Sequence, residues 1–245
     1  MEIKMKRYAV LLCAEDSEYI KKVHGGYFQV FKSLLGDEDQ GDCNGDHQEI
    51  WNSYKASNGE LPKDDDEIAK YDGFIITGSI HDAHGNDLWV LELVHLLKKL
   101  DFMKKKVLGI CFGHQILCRA LGGKIGKAEH GWDLGATTIN FTTKNIPSLV
   151  IMECHRDEIW ELPPKAELLA SSEKTGVEMF KYGEHMMGIQ GHPEYTKDIV
   201  LHIIGRLLNS NVIQTWQADA AKLKLEAREP DQEAWKKLCK GFLKG

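Results

Sequence analysis

Three short stretches of this 245-residue chain hold side chains that could do chemistry together. The first is Val107-Leu108-Gly109-Ile110-Cys111-Phe112-Gly113-His114-Gln115. It places a cysteine between two glycines, each two positions away, where an apolar strand pattern gives way to a helical one. This is the thiol counterpart of the G-x-S-x-G nucleophile elbow. A reactive side chain on so sharp a turn takes strained backbone angles, and its neighbours must be small. At a helix N-terminus, Cys111 also meets free N–H groups and the positive end of the helix dipole, which favour a thiolate. The Phe112 N–H points where negative charge would develop, as one half of an oxyanion hole.

A cysteine hydrolase needs a base and a group to orient it. Among eleven histidines, His192 is best placed, in Gly188-Ile189-Gln190-Gly191-His192-Pro193-Glu194. Read as extended chain, positions 192 and 194 project to one side, so the Glu194 carboxylate can hold the His192 tautomer. The third stretch is Gly78-Ser79, after the run Gly73–Thr77; the Gly78 N–H is a candidate second oxyanion donor. Two other clusters are weaker. His81-Asp82-Ala83-His84 lacks the further ligands a zinc site needs, so no metal site is expected. Cys154-His155-Arg156-Asp157-Glu158 is polar enough to line a pocket or to be a solvated loop.

These residues need a scaffold that brings distant segments to one edge. Four short, nearly continuous apolar runs, Tyr8–Cys13, Gly73–Thr77, Lys106–Ile110 and Met187–Gln190, read as buried parallel strands. Helical patterns fall over Tyr27–Leu35, Asp87–Leu100 (Asn86 as N-cap; Leu88, Leu91, Leu96, Leu97 and Leu100 on one face) and Phe112–Leu121, which stops at Gly122-Gly123. Short strand-like pieces at Ala136–Phe141, Leu149–Met152, Leu168–Ala170 and Val177–Phe180 suggest an antiparallel patch. Helices near Ile199–Leu208 and Pro230–Phe242, with Pro230 at the first position, close the chain. Gly36–Asp46 and Asn58–Glu67 read as surface loops. The predicted fold is α/β: a three-layer, open, mostly parallel sheet with helices on both faces and a small antiparallel patch. One domain is expected over 1–245, with its core in 8–208 and C-terminal helices in 209–245.

Composition agrees. The hydrophobic share is 42%, the charged share 28% and the net charge −6, so a basic nucleic-acid footprint is absent. Apolar stretches are too short to span a membrane. Six scattered cysteines without a CxxC pair, and no secretory leader, predict free thiols and the cytosol.

The elbow with Gln115 four residues after Cys111, Gly191-His192-Pro193-Glu194, and Cys154-His155-Arg156-Asp157 together resemble the class I glutamine amidotransferases, whose fold is flavodoxin-like. Gly78-Ser79-Ile80-His81-Asp82-Ala83, Val177-Glu178-Met179-Phe180 and the C-terminal Leu238–Gly245 segment look most like the plant γ-glutamyl peptidases within that family. The resemblance implies a Cys111-His192-Glu194 triad, oxyanion donors at Gly78 and Phe112, and Gln115 beside the glutamyl substrate, with Ser79, His155 and Trp132 as further substrate-binding residues. It implies a cofactor-free enzyme acting on a small γ-glutamyl compound, with no obligatory protein partner, that removes the γ-glutamyl residue from glutathione conjugates in plant sulfur metabolism. A glutaminase subunit feeding ammonia to a separate synthetase, or a catalytically silent binding protein, shares these motifs. The stretch between Gly135 and His155 is shorter than the resemblance implies, at a place expected to border the site.

Overall fold

The computed structural model describes residues 5–37 and 49–245. The polar stretch Gly36–Asp46 lies outside them from residue 38 on, as does Cys43. The first half of the chain forms β1 (Lys6–Leu11), α1 (Glu18–His24), α2 (Tyr27–Leu35), β2 (Glu49–Tyr54), α3 (Asp65–Ala69), β3 (Gly73–Ile76), α4 (Leu88–Phe102), β4 (Lys106–Ile110) and α5 (Phe112–Ala120). The second half adds β5 (Lys124–Lys127), β6 (Asp133–Phe141), β7 (Leu149–His155), β8 (Asp157–Glu161), β9 (Ala166–Ser171), β10 (Met179–Tyr182) and β11 (Met186–Ile189). Helices α6 (Lys197–Asn209), α7 (Thr215–Ala227) and α8 (Gln232–Lys244) end the chain.

Nine strands form one sheet in the order β2-β1-β3-β4-β11-β10-β9-β6-β7. The first five pair in parallel. Counting β11 as the fifth strand, their order is the 2-1-3-4-5 of doubly wound sheets. From β11 to β7 every pairing is antiparallel. The antiparallel part is thus no small patch but four strands that continue the same sheet. A separate ribbon pairs β5 with β8.

The four apolar runs of the sequence are β1, β3, β4 and β11, mutual neighbours in the sheet. All four residues of β3 and of β11 are buried. Alternate residues feed different cores, as the two-residue repeat of a strand requires. Ala9, Leu11, Phe74 and Ile76 join Leu93, Leu97 and Ile116 under α4 and α5. Tyr8, Val10, Ile75, Leu108 and Ile110 join Phe31, Leu35 and Trp235 under α2 and α8. A third cluster packs α6 and α7 on Leu134, Ala136 and Met152.

Several expectations change. Helix α4 buries Val90, Leu93, Leu96, Leu97 and Leu100, whereas Leu88 and Leu91 are exposed; in its first half the buried stripe runs through Val90 and Leu93 instead of the two leucines. Its N-cap is Asp87, and the Asn86 amide oxygen instead accepts from Arg119 Nη2 at 3.0 Å. The supposed loop Asn58–Glu67 runs into α3, capped by Asp64 Oδ1, which accepts from Glu67 N at 2.8 Å. The acidic run there is the first turn of a helix, where the dipole favours negative charge. Pro230 lies outside α8; Asp231 is the N-cap, and its carboxylate accepts from Val150 N at 2.6 Å. Helix α8 is not peripheral to a core ending near 208: Trp235, Cys239 and Leu243 are buried in the main cluster.

Trp235→Ala should therefore cost about 3–5 kcal/mol, whereas Trp216→Ala, at a position 70% exposed, should stay within about 0.5 kcal/mol of the parent. Denaturant unfolding of the two variants checks this, and equal midpoints would remove α8 from the core.

Candidate active site

Cys111 lies between β4 and α5 and caps the helix with φ 52° and ψ −105°. An L side chain adopts such a left-handed φ at a cost of order 1–3 kcal/mol. Hydrogen bonds on both sides hold it there. Cys111 N–H donates to Ile189 O at 2.8 Å, and Cys111 O accepts from Gln115 N at 3.0 Å. The two glycines are required by contact. A Cβ at Gly109 would lie 2.4 Å from Gly113 O, and one at Gly113 would lie 2.2 Å from Ile76 O. Helix α5 therefore starts hard against β3 and β4. Its first N–H groups, including that of Phe112, have no partner within the helix.

Across the edge, β11 lies parallel to β4, with Ile189 opposite Ile110. The chain then leaves the strand, and His192 N–H donates to Met152 O at 2.7 Å. His192 and Glu194 do not meet through an extended run, as the sequence suggested. Pro193 and Glu194 form a turn, with Tyr195 N–H donating to His192 O at 3.3 Å, and this folds the carboxylate back onto the ring. Glu194 Oε1 sits 2.8 Å from His192 Nδ1. A carboxylate accepts, so Nδ1 carries a hydrogen and Nε2 is left free; the Cys111 thiol is near enough for thiol and imidazole to act on each other's charge. A Cβ at Gly78 would lie 2.9 Å from His192 Cε1 and 3.7 Å from Cys111 Cβ. Only glycine leaves both side chains in place.

Cys111, His192 and Glu194 are each at most 6% exposed. Burial is the largest influence on His192 and opposes its charge. Glu194 and Cys111 together outweigh it, so the imidazolium is held up to about 10. Burial likewise pushes the Cys111 thiol up, and His192 pulls it back. No such imidazole acts on Cys13 or Cys118, whose thiols burial raises to about 12. His114 shows the opposite case: fully buried with its Nε2 3.2 Å from Val177 O, it is lowered by desolvation to about 3 and is a neutral core histidine.

The other expected residues have much of their polarity already engaged. Gln115 Nε2 donates to Asp157 O at 2.8 Å and to Gln190 Oε1 at 3.0 Å. Ser79 Oγ donates to Cys13 O at 2.6 Å and accepts from His81 N at 3.1 Å. His155 is buried, its Nδ1 3.0 Å from Asp157 O. Trp132 packs beside the Leu134–Tyr195 cluster, and its carbonyl accepts from Lys174 Nζ. His84 lies 3.4 Å from Asp157 and 3.7 Å from Asp82, with the Lys127 ammonium alongside. That cluster ties the loop after β3 to the β5–β8 ribbon. The stretch between Gly135 and His155 forms most of β6, the turn after it and β7. Asp133 pairs with His155 at one end of the β6–β7 ribbon and Ile139 with Leu149 at the other, and His192 meets β7 between them, at Met152.

The residue that motif reading passed over is Tyr195. Its ring lies flat on His192, centroids 3.9 Å apart and planes 2° from parallel. Its hydroxyl is 3.4 Å from that of Tyr27. It immediately follows Glu194, but adjacency gave no hint of stacking, which depends on the turn at Pro193.

Residues 50–199 match the family glutamine amidotransferase class-I. The chain belongs to that family. Over nearly its whole length, this member is 48% identical to γ-glutamyl peptidase 5 of Arabidopsis thaliana (253 residues; 99% of this chain, 97% of the relative). It is 47% identical to γ-glutamyl peptidase 3 of the same plant (98% and 97% covered). A solved glutamine amidotransferase from Thermotoga maritima shares the fold with a TM-score of 0.68 at 19% identity, covering 98% of this chain and 96% of its own.

In Glu194→Gln the imidazolium loses its strongest support and burial prevails, so His192 should release its proton about one to three pH units lower than in the parent. Tyr195→Leu, which removes a ring face from the cation, should lower the same midpoint by less than about 1.5 units, and Tyr195→Phe should leave it unchanged. Histidine NMR titrations measure all three; an unmoved midpoint in Glu194→Gln would show that another group holds the proton.

Proposed function

We propose that this chain is a cysteine hydrolase that cleaves the γ-glutamyl bond of γ-glutamyl peptides, glutathione conjugates among them, and releases glutamate. The observation that carries the reading is the Cys111 thiol, held at a left-handed φ on a strand-to-helix turn, beside the buried His192 ring whose Nδ1 lies 2.8 Å from Glu194 Oε1. In the mechanism, the Cys111 thiolate attacks the γ-carbonyl carbon. The carbonyl electron pair moves onto oxygen, and the N–H groups of Gly78 and Phe112 receive that oxyanion. As the tetrahedral intermediate collapses, the C–N bond breaks and His192 Nε2 gives its proton to the leaving amine. A γ-glutamyl thioester on Cys111 remains. Neutral His192 then takes a proton from water, which attacks the thioester; glutamate leaves and the thiolate–imidazolium pair returns. Each step uses side chains and backbone groups of the chain itself.

Glutamine and γ-glutamyl peptides offer the same carbonyl, so the three catalytic residues do not choose between them. The relatives that match over nearly the full chain at 43–48% identity bear the name γ-glutamyl peptidase, which favours peptides. A small γ-glutamyl substrate and water are then sufficient partners. Five described cysteines are free thiols, and they support a reducing compartment such as the cytosol.

Purified protein incubated separately with glutathione, a glutathione S-conjugate and glutamine should release glutamate from the peptides faster than from glutamine. Cys111→Ala should lower that release by at least about a thousandfold. Retained turnover in Cys111→Ala would end the mechanism, and turnover of glutamine alone would replace the peptidase by a glutaminase.

A further inference from the structure

Behind the active site lies a buried group of side chains that the hydrolysis does not use. Glu153 and His155 alternate on β7 and share one of its faces. Glu178 arrives just before β10. Glu153 and Glu178 are 0% exposed and His155 is 4% exposed. All four carboxylate oxygens and His155 Nε2 lack a hydrogen-bond partner among the described residues. Ser172 approaches Glu178, but without the geometry of a hydrogen bond. One ligand atom from each of Glu153, His155 and Glu178 lies within 4.8 Å of the other two.

The tautomer of His155 sharpens the problem. Its Nδ1 is 3.0 Å from the Asp157 carbonyl. A carbonyl only accepts, so Nδ1 carries the hydrogen, and in the neutral ring Nε2 presents a bare lone pair. That lone pair faces Glu153 Oε2 at 3.3 Å, with the second carboxylate beside it. Burial pushes both carboxyls well above the usual carboxylate range, helped by the Asp133 charge at Glu153 and by the Glu153 charge at Glu178. A proton can bridge one such contact, whereas a cation at the centre satisfies all three. Two ligands each about 2.1 Å from one zinc ion at a near-tetrahedral angle stand about 3.4 Å apart, close to the 3.3 Å between His155 Nε2 and Glu153 Oε2. The hydrogen bond from the other imidazole nitrogen to a backbone carbonyl is the usual support of a metal-bound histidine. Two carboxylates and a neutral imidazole balance a dication, and the mixed oxygen and nitrogen donors suit zinc better than magnesium or calcium.

We propose that Glu153, His155 and Glu178 form a binding site for a divalent transition-metal ion of the zinc class, outside the catalytic group. Its effect would reach the base through β7: the Met152 carbonyl next to Glu153 holds His192 N–H at 2.7 Å. The half-buried Asp82-His84-Asp157 group is not such a site, because the Lys127 ammonium already supplies its positive charge.

The test uses the full chain with Cys111→Ala, so that the catalytic thiolate cannot itself bind metal. Protein from zinc-supplemented cells is assayed for metal by mass spectrometry. It is then unfolded with chelator and refolded with and without zinc before its Tm is measured. The expected results are about one zinc per chain and a Tm rise of about 5 °C at a hundredfold excess of zinc over Kd. Both should be lost in Glu178→Gln and in His155→Gln. Glu178→Gln keeps the side chain's shape and removes charge repulsion, so it is the variant expected to fold. Zinc that is absent from the purified protein, or retained in Glu178→Gln, would overturn the site. So would a Tm that rises in Glu178→Gln while the parent ignores zinc, which would identify two carboxyls sharing a proton.

Discussion

The parallel pairing of β4 with β11 is the constraint on which the site depends. It sets Ile110 opposite Ile189, and the next residue on β4, Cys111, spends its N–H on the Ile189 carbonyl. That bond anchors the strained turn and sets the spacing to His192. A slip of one residue would reverse every side chain of β11 between the two cores. Such a slip is blocked at both faces. Gly188 lies against the His114 ring, where a Cβ would come within 2.5 Å of Nδ1, and Met187 and Ile189 belong to the cluster that includes Trp235. Core packing thereby fixes catalytic distance.

Around this seam the protein accepts local costs. Cys111 holds a left-handed φ, a histidine is buried as a cation, and a carboxylate is buried to support it. Each would be unfavourable alone. They persist because the neighbours are packed: Gly78 admits no side chain beside His192, and Tyr195 covers one face of the ring. Gln115 extends the order outward. Its amide ties the nucleophile helix to Gln190, two residues before the base, and to the start of β8.

Legibility in the sequence followed hydrophobic pattern. Strands β3 and β4 and helix α2 read clearly because apolar residues dominate them and glycine or polar residues bound them. Edge strand β2, Glu-Ile-Trp-Asn-Ser-Tyr, pairs among the described residues only with β1 and carries polar residues, so its pattern is weak. Helix α7 was passed over because two of its three buried residues are alanines, Ala218 and Ala221, which leave little apolar contrast along the helix. Strand β8 looked like a polar loop because its partner, β5, lies more than thirty residues earlier and no local pattern announces the ribbon.

By itself the sequence determined which atoms could react: a thiol between glycines at a strand-to-helix turn, and an imidazole two residues before a carboxylate. Those are local properties, set by steric size and by neighbours along the chain. The tertiary structure decided everything that joins separate segments. It decided that a turn, and not an extended strand, seats Glu194 on His192, that Tyr195 stacks on the ring, and that Glu153, His155 and Glu178 converge out of water. The physical reason is that side-chain orientation beyond a single element depends on register and crossing of elements, which local pattern does not carry.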